Sequence, residues 1–377
     1  MEILNVPQGE FRLNRYPVRE NELLRAWDAA DEYLLNYIHD EIDLQIKENI
    51  LIINDSFGAL ATSLAEHNIT VWTDSWISMQ GIQQNLENNE ITAGNIKIIN
   101  SIENPAGEYD LVIIKIPKSL ALLEDQLARI KTFISSSTIV VAAGMVKSIH
   151  TSTLKLFEKY VGLTKTSLAK KKARLIFSTV DDNILVKESP YPTSYVLEGS
   201  DYIISNHANV FSRESLDIGT RFFLQHIPQS EKYKNIIDLA CGNGIVGLIA
   251  LEKNPTAEIL FLDESFMAVQ SARENIKNNV NKDNKIKFEV NDCLSEIKPN
   301  STDLILNNPP FHQSTAIGDE VAWQMFKQSK DVLKPGGELW VIGNRHLGYH
   351  IKLKKLFGNC EMISSDKKFV ILKSVNN

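Results

Sequence analysis

Apolar residues in this chain fall into short unbroken runs separated by longer stretches of helical spacing. Leu23, Leu24, Trp27, Ala30, Leu34, Leu35 and Ile38 recur every three to four positions, which predicts a helix over 21–37. The run Ile50 to Ile53 that follows reads as a buried strand. Further runs at Ile69 to Trp72, Ile96 to Ile99, Leu111 to Ile114 and Thr138 to Ala142 alternate with helical segments. Strands alternating with helices predict an α/β fold with a largely parallel sheet covered on both faces. Turn chemistry concentrates over 180–205, in Asp181-Asp182-Asn183 and Ser189-Pro190-Tyr191-Pro192-Thr193, so the domain junction is placed there, giving domains 1–190 and 191–377. Beyond it the alternation restarts, with strands expected at Asn235 to Leu239, Glu258 to Leu262, Ile286 to Val290, Leu304 to Asn307 and Glu338 to Ile342. A late pair is expected near Cys360 to Ile363 and Phe369 to Leu372.

The second set of elements repeats the first. Ile50-Leu51-Ile52-Ile53-Asn54-Asp55-Ser56-Phe57-Gly58 aligns with Ile236-Ile237-Asp238-Leu239-Ala240-Cys241-Gly242-Asn243-Gly244. Asp74-Ser75-Trp76 aligns with Glu264-Ser265-Phe266, and Asn85 to Asn89 with Asn275 to Asn279. Asp110 to Lys118 aligns with Asp303 to Phe311. The apolar framework is shared, but the polar chemistry is not. Ile52 stands where the second copy has Asp238, Ser56 where it has Gly242, and Lys115-Ile116-Pro117-Lys118 where it has Asn308-Pro309-Pro310-Phe311. The first copy reads as a fold without catalysis, kept for binding or for support.

Composition narrows the picture without changing it. A chain of 377 residues with 43% apolar and 23% charged residues suits two soluble domains, not a disordered or membrane chain. The first thirty residues hold no signal-peptide core and no run is long enough to span a bilayer, so a cytoplasmic protein with no membrane partner is expected. Three cysteines, Cys241, Cys293 and Cys360, show neither paired spacing nor a histidine cluster, so no disulfide and no metal site is expected. The net charge of -7 argues against a uniformly basic nucleic-acid coat. RNA contact would need local patches, for which Lys170-Lys171-Lys172 with Arg174, Lys352 with Lys354 and Lys355, and Lys367-Lys368 are candidates.

The chemistry concentrates in the second copy. Asp238 to Gly247 closes a strand and opens a helix, with Gly242, Gly244 and Gly247 at the spacing that lets backbone approach a ligand. That loop alone fits S-adenosylmethionine, a dinucleotide pyrophosphate, or a plain tight turn. Asp263, ending the next strand, can accept both ribose hydroxyls of either cofactor. Asp292, in Asn291-Asp292-Cys293, is a candidate acceptor for an adenine amine or a simple turn cap. Asn308-Pro309-Pro310-Phe311 at the end of the fourth strand separates these readings, since hydride transfer has no need of it. An exocyclic amine on a base is a poor nucleophile, because its lone pair is delocalised into the ring. The Asn308 side-chain carbonyl and the Pro309 main-chain carbonyl would accept its two N–H groups and turn the lone pair toward an incoming methyl, with proline fixing the backbone and Phe311 stacking on the base. Among the scattered histidines His207, His312 and His346, His312 sits beside the motif and is a candidate for substrate contact.

Residues 236–311 resemble class I methyltransferases of the Asn-Pro-Pro type. The chain as a whole resembles the ribosomal RNA guanine-N2 methyltransferases with duplicated domains, nearest their large-subunit members. The likeness runs through Phe11 to Pro17, Ala26 to Leu35, His150 to Leu154, Asn206 to Arg213 and Asn344 to Leu347. It implies two tandem Rossmann-like methyltransferase domains, the first degenerate and serving RNA binding or support. It implies S-adenosylmethionine as cofactor, held by Asp238, Cys241, Gly242, Asn243, Gly244, Asp263, Asp292 and Asn308, and a guanosine of 23S ribosomal RNA as substrate. Phe311 in the motif fits guanine-directed enzymes, Asp217 and Gly219 would support the cofactor side, and Cys241 would fill a small-residue slot. A small-subunit (16S) substrate, a dinucleotide-dependent oxidoreductase and a non-catalytic RNA-binding assembly factor are the competing readings. A duplicated chain that covers its own sheets is expected to be a monomer.

Overall fold

A computed structural model describes residues 2–19, 22–280, 285–310 and 316–377 of the chain. Two compact units divide between Tyr191 and Pro192.

The first unit contains β1 (Glu2–Val6), β2 (Gly9–Leu13), α1 (Ala29–Glu41), β3 (Asn49–Ile53), α2 (Ala59–Ser63), β4 (Asn68–Thr73), α3 (Trp76–Asn88), β5 (Ile96–Asn100) and β6 (Leu111–Lys115). It continues with α4 (Leu120–Ile130), β7 (Ile139–Met145), α5 (Thr151–Tyr160), β8 (Thr164–Thr166) and β9 (Ala173–Thr179). The second unit contains β10 (Thr193–Val196), β11 (Ile203–Asn206), α6 (Ile218–Leu224), β12 (Asn235–Leu239), α7 (Ile245–Lys253), β13 (Glu258–Asp263), α8 (Phe266–Asn279) and β14 (Ile286–Val290). It closes with β15 (Thr302–Asn307), α9 (Ala316–Val332), β16 (Leu333–Asn344), α10 (Tyr349–Phe357), β17 (Glu361–Ser365) and β18 (Phe369–Val375).

Each unit is built on a seven-stranded sheet, in the order β5-β4-β3-β6-β7-β9-β8 and β14-β13-β12-β15-β16-β18-β17 respectively. The first five strands of each are parallel, and the last two are joined by antiparallel pairings, so that only the sixth runs against the others. The unbroken apolar runs follow from burial on both faces. Ile50 and Ile52 point into one core and Leu51 and Ile53 into the other. Leu304 and Leu306 likewise face one side of the second sheet, and Ile305 the other. The expected fold class is therefore present: two Rossmann-like α/β domains, with the repeat expressed strand for strand.

The repeated asparagines have a common task. Asn275 and Asn279 on α8 bond both the N–H and the carbonyl of Ser205 and Ile203, fastening β11 to the helix. Asn85 and Asn89 do the same to Asn14 and Arg12 beside β2. A further amide bond ties each helix to the loop after the central strand, from Asn275 to the Asn243 carbonyl and from Asn85 to the Phe57 carbonyl. Main-chain groups that lack a ladder partner are satisfied here by side chains.

Three sequence expectations are corrected. The first helix begins at Ala29, not near 21, because Asp28 accepts the Ala30 N–H at 2.8 Å while Asp31 accepts the Asp28 N–H at 2.9 Å, closing a reciprocal cap. Leu23 and Leu24 fit the helical period by spacing alone; Leu23 is 91% exposed, and Asn21 lies outside the described residues. The stretch 180–205 is not all turn, since β10 and β11 pair within it as a hairpin. The Lys170-Lys171-Lys172 run lies in the turn between β8 and β9, an antiparallel pair the periodicity did not suggest.

Helix α7 lies so close to the sheet that a Cβ on Gly247 would stand 2.2 Å from Cε1 of Phe261 and 3.0 Å from the Asp238 carboxylate. Gly247→Ala should therefore lower the stability of the second unit by about 1–3 kcal/mol, through overpacking. Gly242 has open space where its Cβ would go but a φ of +54°, so Gly242→Ala should cost only the backbone term, about 1–2 kcal/mol. Denaturant unfolding of the two variants checks the magnitudes.

Candidate active site

The parallel ladder brings the polar ends of its strands to one edge. At the end of β12, Asp238 is buried and its Oδ2 accepts the Gly247 N–H at 2.8 Å, bracing the glycine loop against the helix it opens. The loop between them turns through left-handed backbone at Ala240, Gly242 and Gly244. At the end of β13, Asp263 accepts the Gly242 N–H at 3.0 Å and the Ser265 N–H at 3.1 Å, so one carboxylate shapes both the glycine loop and the start of α8. Asp292, following β14, is buried and accepts from Gln324 Nε2 at 2.9 Å. Asn308 follows β15, with Pro309 buried and Pro310 exposed beside it.

Two expected cofactor residues are occupied by the protein. Asn243 donates to Asn206 at 2.8 Å, and its carbonyl oxygen faces the Ile245 N–H at 3.4 Å, so its side chain braces the loop. Cys241 is buried and its thiol is pushed well above the ordinary range, by burial first and then by the carboxylates of Asp263 and Asp238. It is therefore a neutral filler and not a nucleophile. Phe311 and His312 lie outside the described residues.

The Asn308 amide is the most informative group. Its Nδ2 donates to Thr220 Oγ1 at 3.1 Å, while its Oδ1 is buried with no partner among the described residues. A buried acceptor left open costs about 1–3 kcal/mol, a cost borne at sites where a ligand completes the bond. Open buried atoms also occur at Asn291 Nδ2, Asn307 Oδ1 and Asn344 Oδ1, all at the same strand edge. Asn307 and Thr220 were missed in the sequence reading. The signal for Asn307 was a polar residue closing an apolar strand; Thr220 gives no local signal, because it meets Asn308 only through the fold.

The first unit closes the same corner with its own charges. Asp55, in the place of Cys241, is 1% exposed and accepts the N–H groups of Gly58, Leu60 and Ala61 at 2.9–3.1 Å. Lys115, in the place of Asn308, reaches Asp31 at 2.6 Å and Asp28 at 3.0 Å. Burial works against the Lys115 ammonium, but the two carboxylates outweigh it and raise its pKa. The edge that stays open in the second unit is sealed in the first.

Among the described residues no group of three or more His, Cys, Asp or Glu side chains is placed to hold a metal, and no helix is long and apolar enough to cross a membrane. The second unit fits an adenosyl amino-acid cofactor: open space faces Gly242, carboxylates end two adjacent strands, and unfilled amide groups line the edge.

The fold and this strand-edge site define a class I methyltransferase. The Methyltransferase small domain family matches residues 201–373, and the RLMG N-terminal domain family matches residues 1–182. Ribosomal RNA large subunit methyltransferase G of Photobacterium profundum is 50% identical over 99% of this chain and 99% of its own length. Its counterpart from Pseudoalteromonas translucida is 48% identical over 97% of this chain and 96% of its own. A T. thermophilus 16S rRNA N2 methyltransferase, solved in complex with AdoMet and guanosine, has the same fold, with a TM-score of 0.76 at 17% identity, covering 100% of this chain and 98% of its own. The chain belongs to the ribosomal RNA large subunit methyltransferase G family.

Burial, reinforced by Asp263, pushes Asp238 up to about 7 from an ordinary 3.8. A raised carboxylate holds its proton in the folded state after the unfolded chain has lost it, so its contribution is full below the unfolded pKa and is lost as pH rises through about 7. In protein free of cofactor, the melting temperature of the wild type relative to Asp238→Asn should therefore fall from about pH 5 to about pH 8. A flat difference would show that Asp238 is ionised throughout.

Proposed function

We propose that Asn308 and the two prolines after it present the exocyclic amine of a guanine for methylation, at a cofactor site bordered by Asp238, Gly242, Gly244, Asp263 and Asp292. The chain is an S-adenosylmethionine-dependent ribosomal RNA guanine-N2 methyltransferase. The large-subunit reading is favoured over the small-subunit one, since the full-length relatives are named for the large subunit. Membership of that family also sets aside the oxidoreductase and the non-catalytic assembly factor.

The carrying observation is the buried Oδ1 of Asn308, which has no partner among the described residues. Bound at this edge, the cofactor supplies an electrophilic methyl on a sulfonium. The protein's part is orientation. Asn308 Oδ1 and the Pro309 carbonyl accept the two N–H groups of the guanine amine and bring its lone pair out of conjugation. In this reading Asp263 accepts from the ribose hydroxyls and Asp292 from the adenine amine, while Asp238 holds the loop between them. Cys241 and Asn243 contribute main chain, the Cys241 thiol facing the Gly242 carbonyl and the Asn243 amide bonding Asn206 at the end of β11.

The first domain, residues 1–190, serves in this reading to hold RNA. Its sealed corner leaves no catalytic role, and Lys170, Lys171 and Lys172 lie exposed in a turn, Lys170 over the Tyr33 ring and Lys171 paired with Glu32 at 2.8 Å. The protein is read as a cytoplasmic monomer without a membrane partner, which light scattering of the purified chain would check. Asn308→Ala should lower methyl transfer from labelled S-adenosylmethionine into unmodified 23S rRNA by roughly a hundred- to a thousandfold. Retained transfer would remove the motif from the reaction. Replacing Lys170 and Lys172 by Glu should raise the KM for rRNA and make log KM less steep in log salt by about one to two, with kcat unchanged.

A further inference from the structure

The Asn308 amide can face either way, and only one way makes it an acceptor. We propose that Thr220 and Asp217, at the start of α6, are positioning residues that lock the amide with its oxygen toward the substrate; this rests on the reading that Asn308 Oδ1 accepts from the guanine amine. Asp217 caps α6, its Oδ2 taking the Thr220 N–H at 2.9 Å and lying 3.4 Å from Thr220 Oγ1. A carboxylate only accepts, so where Thr220 Oγ1 faces Asp217 Oδ2, at 3.4 Å, the hydroxyl is the donor. The hydroxyl then meets Asn308 with lone pairs alone, which accept from Nδ2 at 3.1 Å. A flipped amide would set Oδ1 against those lone pairs, and is disfavoured. The polarity of the relay thus runs from Asp217 through Thr220 to Asn308.

Two further features fit this role. A Cβ on Gly219 would stand 2.9 Å from the Phe369 ring and 3.0 Å from the Asp217 carboxylate, so α6 is seated tightly on β18 and the hydroxyl has a fixed place. The first domain holds the corresponding strand-end residue by the corresponding helix positions: Lys115 is gripped by Asp28, the cap of α1, and by Asp31 three residues on. The scaffold keeps this grip in both copies. Only in the second does it end on a group with an acceptor to spare.

The test compares Thr220→Val, which keeps shape and removes the hydroxyl, with Thr220→Ser, which keeps the hydroxyl, in the full-length protein with unmodified 23S rRNA. Thr220→Val should lower kcat at saturating cofactor by roughly ten- to a hundredfold, with the directly measured Kd for S-adenosylmethionine changed by less than about twofold. Thr220→Ser should restore kcat to within about threefold of wild type. Asp217→Asn, which can donate to Thr220 and reverse the relay, should lower kcat at least as far as Thr220→Val. If Thr220→Val does not fold, Thr220→Ala replaces it in the comparison with Ser. Unchanged kcat in Thr220→Val, a loss confined to cofactor affinity, or failure of Ser to rescue would each overturn the relay. Asn308→Ala keeps the two claims apart: an inactive Asn308→Ala beside a fully active Thr220→Val rejects the relay alone, whereas an active Asn308→Ala rejects the site.

Discussion

Everything at the site depends on a parallel ladder whose strands end in register. Leu239 pairs with Leu262 on one side and Asn307 on the other, so the polar residues that follow these strands emerge side by side however distant they are in sequence. The ladder leaves no freedom to shift by one residue, because a slip would turn Leu304 and Leu306 from one core to the other and Ile305 the opposite way. Apolar burial on both faces therefore fixes where the chemistry stands. The glycine loop and Asp263 then need only a few hydrogen bonds to set the shape of the edge.

The two domains show which parts of this arrangement belong to the fold and which to the reaction. The asparagine fastening of hairpin to helix is kept in both, as are the carboxylates Asp110 and Asp303, which accept the N–H groups that precede the central strands. These satisfy main-chain groups at the strand ends and beside the hairpins, a demand that persists whether or not a ligand binds. The strand-end chemistry differs. In the first domain the acid has moved from the strand into the loop, as Asp55, and the asparagine has become a lysine paired within the fold. An edge that no ligand completes must satisfy its own polar groups.

Much of this was legible in the sequence, for physical reasons. Strands buried on both faces leave unbroken apolar runs, and ten parallel strands, five in each sheet, could be found that way or from the repeat. The glycine loop and the Asn-Pro-Pro motif were legible because their function needs contiguous residues. The hairpins β1–β2 and β10–β11 were not, because their strands are short and half exposed, with polar residues such as Glu10, Arg12 and Ser194 among the apolar ones. The start of α1 was misread because an apolar period extends past the point where Asp28 ends the helix. Thr220 could not be found at all: its partner Asn308 is 88 residues away, and the bond exists only once α6 and β15 have met. The place of Asn243 in the glycine loop was legible, but the bond of its amide to Asn206 was not, because the two residues meet only through the fold.

Asp55 carries one more consequence. By supplying from within the chain a carboxylate that satisfies three amides of its own loop and helix, it makes the first domain self-sufficient: no small molecule is required to complete that edge. The second domain leaves acceptors open, so any ligand that fills them binds the folded form alone and adds RT ln(1 + [L]/Kd) to its stability. Ligand linkage therefore enters this polypeptide through the edge of the second domain and not through that of the first.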